Sequence, residues 1–126
     1  MKIETISTDK APSAIGPYSQ GKVLGQFVFT SGQIPINPEN GEIINGGIEE
    51  QTEMSIKNLI AILNAGDSCV ENVIKTTCFL SDMNDFAKFN SVYEKYFISK
   101  PARSCVAVKT LPKNVLCEIE AIAIKN

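Results

Sequence analysis

Histidine is absent from this chain of 126 residues. A Ser-His-Asp or Cys-His nucleophile system is therefore excluded, and so are most catalytic zinc sites. Any chemistry must be carried by carboxylates, hydroxyls, a thiol, Arg, Lys or backbone groups. No Gly-x-Gly-x-x-Gly segment and no Walker-type loop occurs, so nucleotide binding has no support. No apolar stretch approaches membrane-spanning length. No run of Lys or Arg stands out and the net charge is -2, which points to neither nucleic acid nor an anionic membrane as partner. The segment Met1-Lys2-Ile3-Glu4-Thr5-Ile6 lacks the apolar run and cleavage site of a secretory signal, so a cytoplasmic location is expected. The four cysteines, Cys69, Cys78, Cys105 and Cys117, include no Cys-x-x-Cys pair. Without an export signal they are expected as reduced thiols. Cys78, Cys105 and Cys117 sit in strand-like apolar surroundings, where Cys behaves as a small hydrophobe.

What is present is the mix of an ordinary globular domain, 44% apolar and 21% charged. No linker, low-complexity tract or internal repeat interrupts it, so residues 1–126 are expected to form one domain. Residues 2–6 suit a short edge strand. Residues 11–17, with two prolines and a glycine, cannot be regular structure. Residues 18–24 and 27–31 are expected as strands around Gly25-Gln26, where Gly tolerates the positive φ of a tight hairpin turn. Ser31-Gly32-Gln33 then leaves the sheet, and 37–41 is a turn by composition. Ile48, Thr52, Ile56, Leu59, Ile60 and Leu63 recur at helical spacing, with Gly66 as the stop. Residues 73–80 form a strand. Asp82 caps a second helix whose buried stripe is Phe86, Phe89, Tyr93, Tyr96 and Phe97, with Asp85 in its first turn. Residues 103–108 and 115–124 complete a mixed sheet with both helices on one face. Alternation on the last strand puts Cys117, Ile119, Ala121 and Ala123 against the helices. Leu116, Glu118, Glu120, Ile122 and Ile124 fall on the other face. That face would expose an apolar patch in water, so another subunit is expected to cover it.

Candidate site residues cluster in two segments, Pro101-Ala102-Arg103-Ser104-Cys105-Val106 and Glu118-Ile119-Glu120-Ala121. An arginine at the start of a buried strand needs an anion. Its planar fork suits a small carboxylate, or an ion pair with Glu118 or Glu120 on a neighbouring strand; spacing alone favours the ion pair. Glu118 among apolar neighbours suits acid-base work on a water, or serves as the partner of Arg103. Cys105 points with Arg103. Without histidine to activate it, packing is favoured over thiolate catalysis, with its backbone carbonyl free to face a ligand. Tyr18, fixed by Ile15-Gly16-Pro17, either closes a pocket or plugs one. Asn90 falls within the apolar stripe of the second helix and needs partners, which suits a subunit contact or a site border. Thr30-Ser31-Gly32-Gln33 offers a hydroxyl and free N–H groups, or is an ordinary strand end.

Four segments together resemble the Rid (RidA, or YjgF) family of enamine/imine deaminases: Ala14-Ile15-Gly16-Pro17-Tyr18-Ser19-Gln20, Phe29-Thr30-Ser31-Gly32-Gln33-Ile34-Pro35, Val73-Ile74-Lys75-Thr76-Thr77, and the signature from Pro101-Ala102-Arg103-Ser104 to Glu118-Ile119. The resemblance spans nearly the whole chain. It implies an α+β, chorismate-mutase-like (YjgF-type) fold, a homotrimer with a central barrel, and sites in three clefts between subunits. The implied activity is that of a 2-iminobutanoate/2-iminopropanoate deaminase. Such an enzyme hydrolyses enamine/imine intermediates released by pyridoxal-phosphate enzymes, such as threonine dehydratase, to 2-keto acids and ammonia. No cofactor or metal is implied. By motif position, Arg103 would clamp the substrate carboxylate, the Cys105 backbone would accept from the imine nitrogen, and Glu118 would handle the attacking water. Tyr18, Ser31, Gly32 and Asn90 would line the cleft. Two features depart from the pattern: the connection Phe97-Ile98-Ser99-Lys100 is shorter than in many relatives, and Cys117 replaces an aliphatic residue. A non-enzymatic module binding 2-keto or amino acids at the same clefts is the alternative. The chaperone or ribonuclease activities proposed for some relatives find little support in charge or composition.

Overall fold

A computed structural model describes residues 2–126. The chain runs β1 (Ile3–Ile6), β2 (Gly21–Leu24), β3 (Phe27–Thr30), α1 (Ile48–Ala65), β4 (Val73–Leu80), α2 (Phe86–Tyr96), β5 (Ala102–Ala107) and β6 (Cys117–Ile124). The strands form one sheet in the order β1-β2-β3-β6-β4-β5. Every pairing is antiparallel except β4 with β5, which are joined through α2 and run parallel. This is the expected mixed sheet with two helices. The expected strand at residues 2–6 is present as β1, at the sheet's edge.

Small residues on β6 let α1 approach closely. Cys117, Ile119, Ala121 and Ala123 are all buried, against Ile56, Leu59, Ile62 and Leu63 of α1. Each of those four helix side chains stabilises the fold by about 1.5–3 kcal/mol on burial, which outweighs a start at Gly47 that offers no side-chain cap. Glu50 compensates in part, its Oε1 accepting from the Gly47 N–H at 2.8 Å. Thr52 and Ser55 hydroxyls meet the Cys117 thiol at 3.8 and 3.7 Å; Thr52 Oγ1 also donates to Ile48 O at 2.6 Å, so an aliphatic side chain in place of the cysteine would leave the Ser55 hydroxyl unpartnered.

Several boundaries differ from expectation, and each difference has a physical reason. The strand expected from residue 18 begins at Gly21, because the buried Gln20 holds the proline-rich segment in a loop. Its Nε2 donates to the carbonyls of Thr8, Ala11 and Pro12, and its Oε1 accepts from Thr8 N. Gly66 ends α1 with φ of -91°, and the left-handed residue is Asp67, at φ 60°. Asp67 N donates to Asn64 O and Ser68 N to Leu63 O, closing the helix end. Gly66 is needed for space: a Cβ there would lie 2.7 Å from Ile6 Cδ1. Gly25 takes φ 60° in the two-residue hairpin turn, as expected. Asp82 accepts from Asn84 N at 2.9 Å and starts a short 3-10 turn ahead of α2. β3 ends at Thr30, and Ser31 and Gly32 leave the ladder as expected, whereas Gln33 returns to it. Gln33 re-pairs with Ile119 after Phe29 pairs with Ile122, so Ser31-Gly32 forms a bulge. Lys113 and Asn114 both take left-handed φ of 56°, which delays β6 until Cys117.

Candidate functional site

β5 is the outer strand of the sheet and alternates between half-buried and exposed residues, so it is not the buried strand expected from its composition. Its half-buried residues, Arg103 and Cys105, lie opposite Thr76 and Cys78 of β4, on the face covered by the helices. The Arg103 guanidinium stands 4.8 Å from the Tyr93 ring centre and 5.4 Å from that of Phe86. Its Nη1 donates to Asn90 Oδ1 at 2.8 Å. Tyr93 is itself fixed, stacked on Phe97 at 4.2 Å, with its hydroxyl 2.7 Å from Thr76 Oγ1. Two rings and one amide thus hold the fork flat while leaving most of its N–H groups unused. Among the described residues it forms no ion pair. It opens into a cavity of about 550 Å³ shared with Asn90, Tyr93, Glu94, Phe97 and Lys100.

The ion pair of Arg103 with Glu118 or Glu120 is therefore overturned. β4 separates β5 from β6, and Glu118 and Glu120 lie opposite Phe79 and Thr77. These residues occupy the sheet face opposite to Thr76, Cys78 and Arg103.

Glu118 belongs to a second cavity, of about 800 Å³, with Tyr18, Ser31, Gly32, Gln33 and Glu120. The Ser31-Gly32 bulge makes room for it, since a Cβ on Gly32 would overlap the Glu118 carboxylate. Ser31 is anchored twice to the preceding loop, Oγ donating to Ser19 O at 2.6 Å and N to Gln20 O at 2.9 Å. Burial, and then the neighbouring Glu120, push the Glu118 carboxyl above the ordinary carboxylate range. Tyr18 N donates to Gly16 O at 2.8 Å, and the residue, 53% exposed, borders the cavity.

Within one chain the expected residues therefore divide. Tyr18, Ser31, Gly32 and Glu118 line one cavity, Asn90 and Arg103 line the other, and Cys105 sits beside Arg103. The two groups lie on opposite faces of the sheet. The neighbouring Cys78 thiol, aided by Arg103 against the effect of burial, brings the Cys105 thiol down to about 7. Sequence reasoning missed Gln20 as the clamp of the Tyr18 loop, and missed Tyr93 and Phe86 as the seat of the guanidinium. Both aromatics were assigned to the core stripe. The signal was Asn90 lying between them at helical spacing, which puts all three on one face of α2.

Residues 8–125 match the family model described as Endoribonuclease L-PSP. A protein of Escherichia coli K12 named 2-iminobutanoate/2-iminopropanoate deaminase is 48% identical over 98% of this chain and 98% of its own length. A protein of Lactococcus lactis named as the regulator AldR is 56% identical over 98% of this chain and 97% of its own length. The crystal structure of E. coli TdcF with bound serine superposes with a TM-score of 0.92 at 48% identity, over 98% of this chain and 99% of that one.

Proposed function

The chain belongs to the Rid (YjgF) family, that of the matched Endoribonuclease L-PSP model, and on that premise we propose that it is a 2-iminobutanoate/2-iminopropanoate deaminase, hydrolysing a C–N bond. The observation that carries this reading is the Arg103 guanidinium, held flat by Phe86, Tyr93 and Asn90, opening into a cavity and unpaired with any carboxylate among the described residues. Such a group suits the carboxylate of a small 2-imino acid.

The working site joins the Arg103 cavity of one copy to the Glu118 cavity of the next, in a cytoplasmic homotrimer of this domain, residues 1–126, built around a central barrel. Two facts support this. The halves lie on opposite faces of one sheet, so no side-chain movement unites them within a chain. The face bearing Glu118 also exposes an apolar patch around Phe27 (46% exposed) and Phe29 (39%), beside Ile122 and Ile124.

Arg103 fixes the carboxylate and so presents the C=N carbon to water. The Cys105 backbone carbonyl accepts from the imine N–H. Glu118, as carboxylate, takes a proton from the attacking water while oxygen bonds to carbon. Its proton then passes to the nitrogen to give a carbinolamine; the new hydroxyl's proton moves to the nitrogen in turn, C=O forms as the C–N bond breaks, and ammonia leaves the 2-keto acid. Tyr18, Ser31, Gly32 and Asn90 shape the walls. An imine is electrophilic enough for water, so positioning supplies much of the acceleration.

Arg103→Ala tests the reading. With a dehydratase generating the imine, loss of a buried bidentate charged contact, about 2–5 kcal/mol, lowers kcat/KM by about 30-fold to a few thousand-fold, while the oligomer stays intact. Unchanged keto-acid release by a folded variant overturns the role. The serine in TdcF favours a second reading, a module that binds small amino or keto acids without turnover. Saturable binding with no turnover of freshly generated imine would select it.

A further inference from the structure

The β4–β5 ladder brings two thiols face to face. Cys78 and Cys105 occupy directly opposed positions on these parallel strands, and both are free. Adjacent strands lie roughly 4.8 Å apart, inside the range of about 4.4–6.8 Å between Cα atoms that a disulfide tolerates. As directly paired positions on adjacent strands, the two side chains project to the same face of the sheet and are neighbours. Their surroundings differ in a useful sense. Cys78 is fully buried, with its S–H also directed at Thr76 Oγ1, 3.9 Å away. Its contact with Cys105, and then burial, keep it protonated. Cys105 stands on the outer strand, half-buried, two residues from Arg103. The proposed hydrolysis uses the Cys105 backbone and neither sulfur.

We propose that Cys105 and Cys78 form a hydroperoxide-oxidised pair, with Cys105 as the attacking thiol and Cys78 as the resolving one. In the first step the Cys105 thiolate attacks one oxygen of hydrogen peroxide. An S–O bond forms and the O–O bond breaks. The departing hydroxide takes a solvent proton to become water, and sulfur is oxidised by two electrons to a sulfenic acid. In the second step Cys78 sulfur attacks Cys105 sulfur. The S–S bond forms, the S–O bond breaks, and the hydroxyl leaves with the Cys78 proton as a second water. Exchange with a small dithiol restores both thiols. The proposal rests on the strand geometry and is independent of the deaminase reading.

The test is mild hydrogen peroxide treatment of the full assembled chain, alkylation of the remaining thiols, and peptide mapping by mass spectrometry. Trypsin sites at Lys75 and Arg103 release the two cysteines on separate peptides. The expected result is a linked Cys78–Cys105 peptide, loss of these two thiols, retention of Cys69 and Cys117, and reversal by dithiothreitol. Cys78→Ala abolishes the link and leaves a Cys105 sulfenic acid that dimedone traps; Cys78→Val repeats this with a better-filled core. A wild-type Cys105 that dimedone traps but that never links, or oxidation that falls first on Cys69, overturns the proposal. Turnover enters neither outcome, so failure here is distinguishable from failure of the deaminase assignment.

Discussion

Replacing Asn90 by Asp asks whether the guanidinium of Arg103 must remain free. The side chains are nearly isosteric, and the new charged oxygen falls where Asn90 Oδ1 now accepts from Arg103 Nη1 at 2.8 Å. The internal contact becomes charge-assisted, roughly twice as strong as its neutral counterpart. An anion on the remaining edge of the fork would lie roughly 5 Å from the new carboxylate, where like charges repel by about 3 kcal/mol at an effective dielectric of about 20 and by about 1 kcal/mol in bulk water. Arg103 is half-buried, so the effect falls between these limits. The expected loss in kcat/KM is therefore about 5- to 150-fold. It appears mainly in KM, because ground state and transition state both carry the carboxylate, and added salt reduces it. The melting temperature does not fall, since the internal contact is strengthened. The assay is keto-acid release from imine generated by a dehydratase, at low and high salt. A variant with wild-type kcat/KM at low salt would refute the idea that this guanidinium waits for an external anion.

Other perturbations separate the remaining parts. Burial and Glu120 raise the Glu118 pKa above its ordinary 4.5, so the folded state favours the protonated acid. The fold therefore loses stability as pH rises from about 4.5 through the raised value, and the penalty persists above it. Glu118→Gln removes that penalty: its melting temperature exceeds wild type at neutral pH, the gap closes in acid, and keto-acid release is lost. Equal melting temperatures across the range would contradict the desolvation argument. Gly32→Ala drives a methyl into the Glu118 carboxylate, and a displacement of about 1 Å lowers kcat by about 100-fold; wild-type kcat would show that Glu118 can move at no cost. Phe29→Lys puts a charge in the open-face patch, and light scattering then reports dissociation to smaller species, whereas an unchanged mass would remove that face from the interface.

The elements were legible wherever a local period carried them. Helical spacing from Ile48 to Leu63 located α1 to the residue, and alternation on β6 correctly sorted Cys117, Ile119, Ala121 and Ala123 to the helix side. Boundaries failed where a distant side chain decided them. The hydrogen bonds of Gln20 to Thr8, Ala11 and Pro12 shortened β2 by three residues relative to expectation, and nothing in the local pattern announces them. Aromatic spacing marked Tyr93 as core, correctly, without revealing that one ring face seats a cation.

The amino-acid sequence by itself determined the element types, the inward face of β6, and the residues that carry the family signature. Each depends on interactions within a few positions, or on motifs of fixed spacing. Only the tertiary structure decided that β4 lies between β5 and β6, that Arg103 and Glu118 stand on opposite faces, and that Cys78 meets Cys105. Periodicity tells which residues share a face within a strand. Which strands become neighbours, and in what register, depends on long-range pairing and helix packing, to which every element contributes at once.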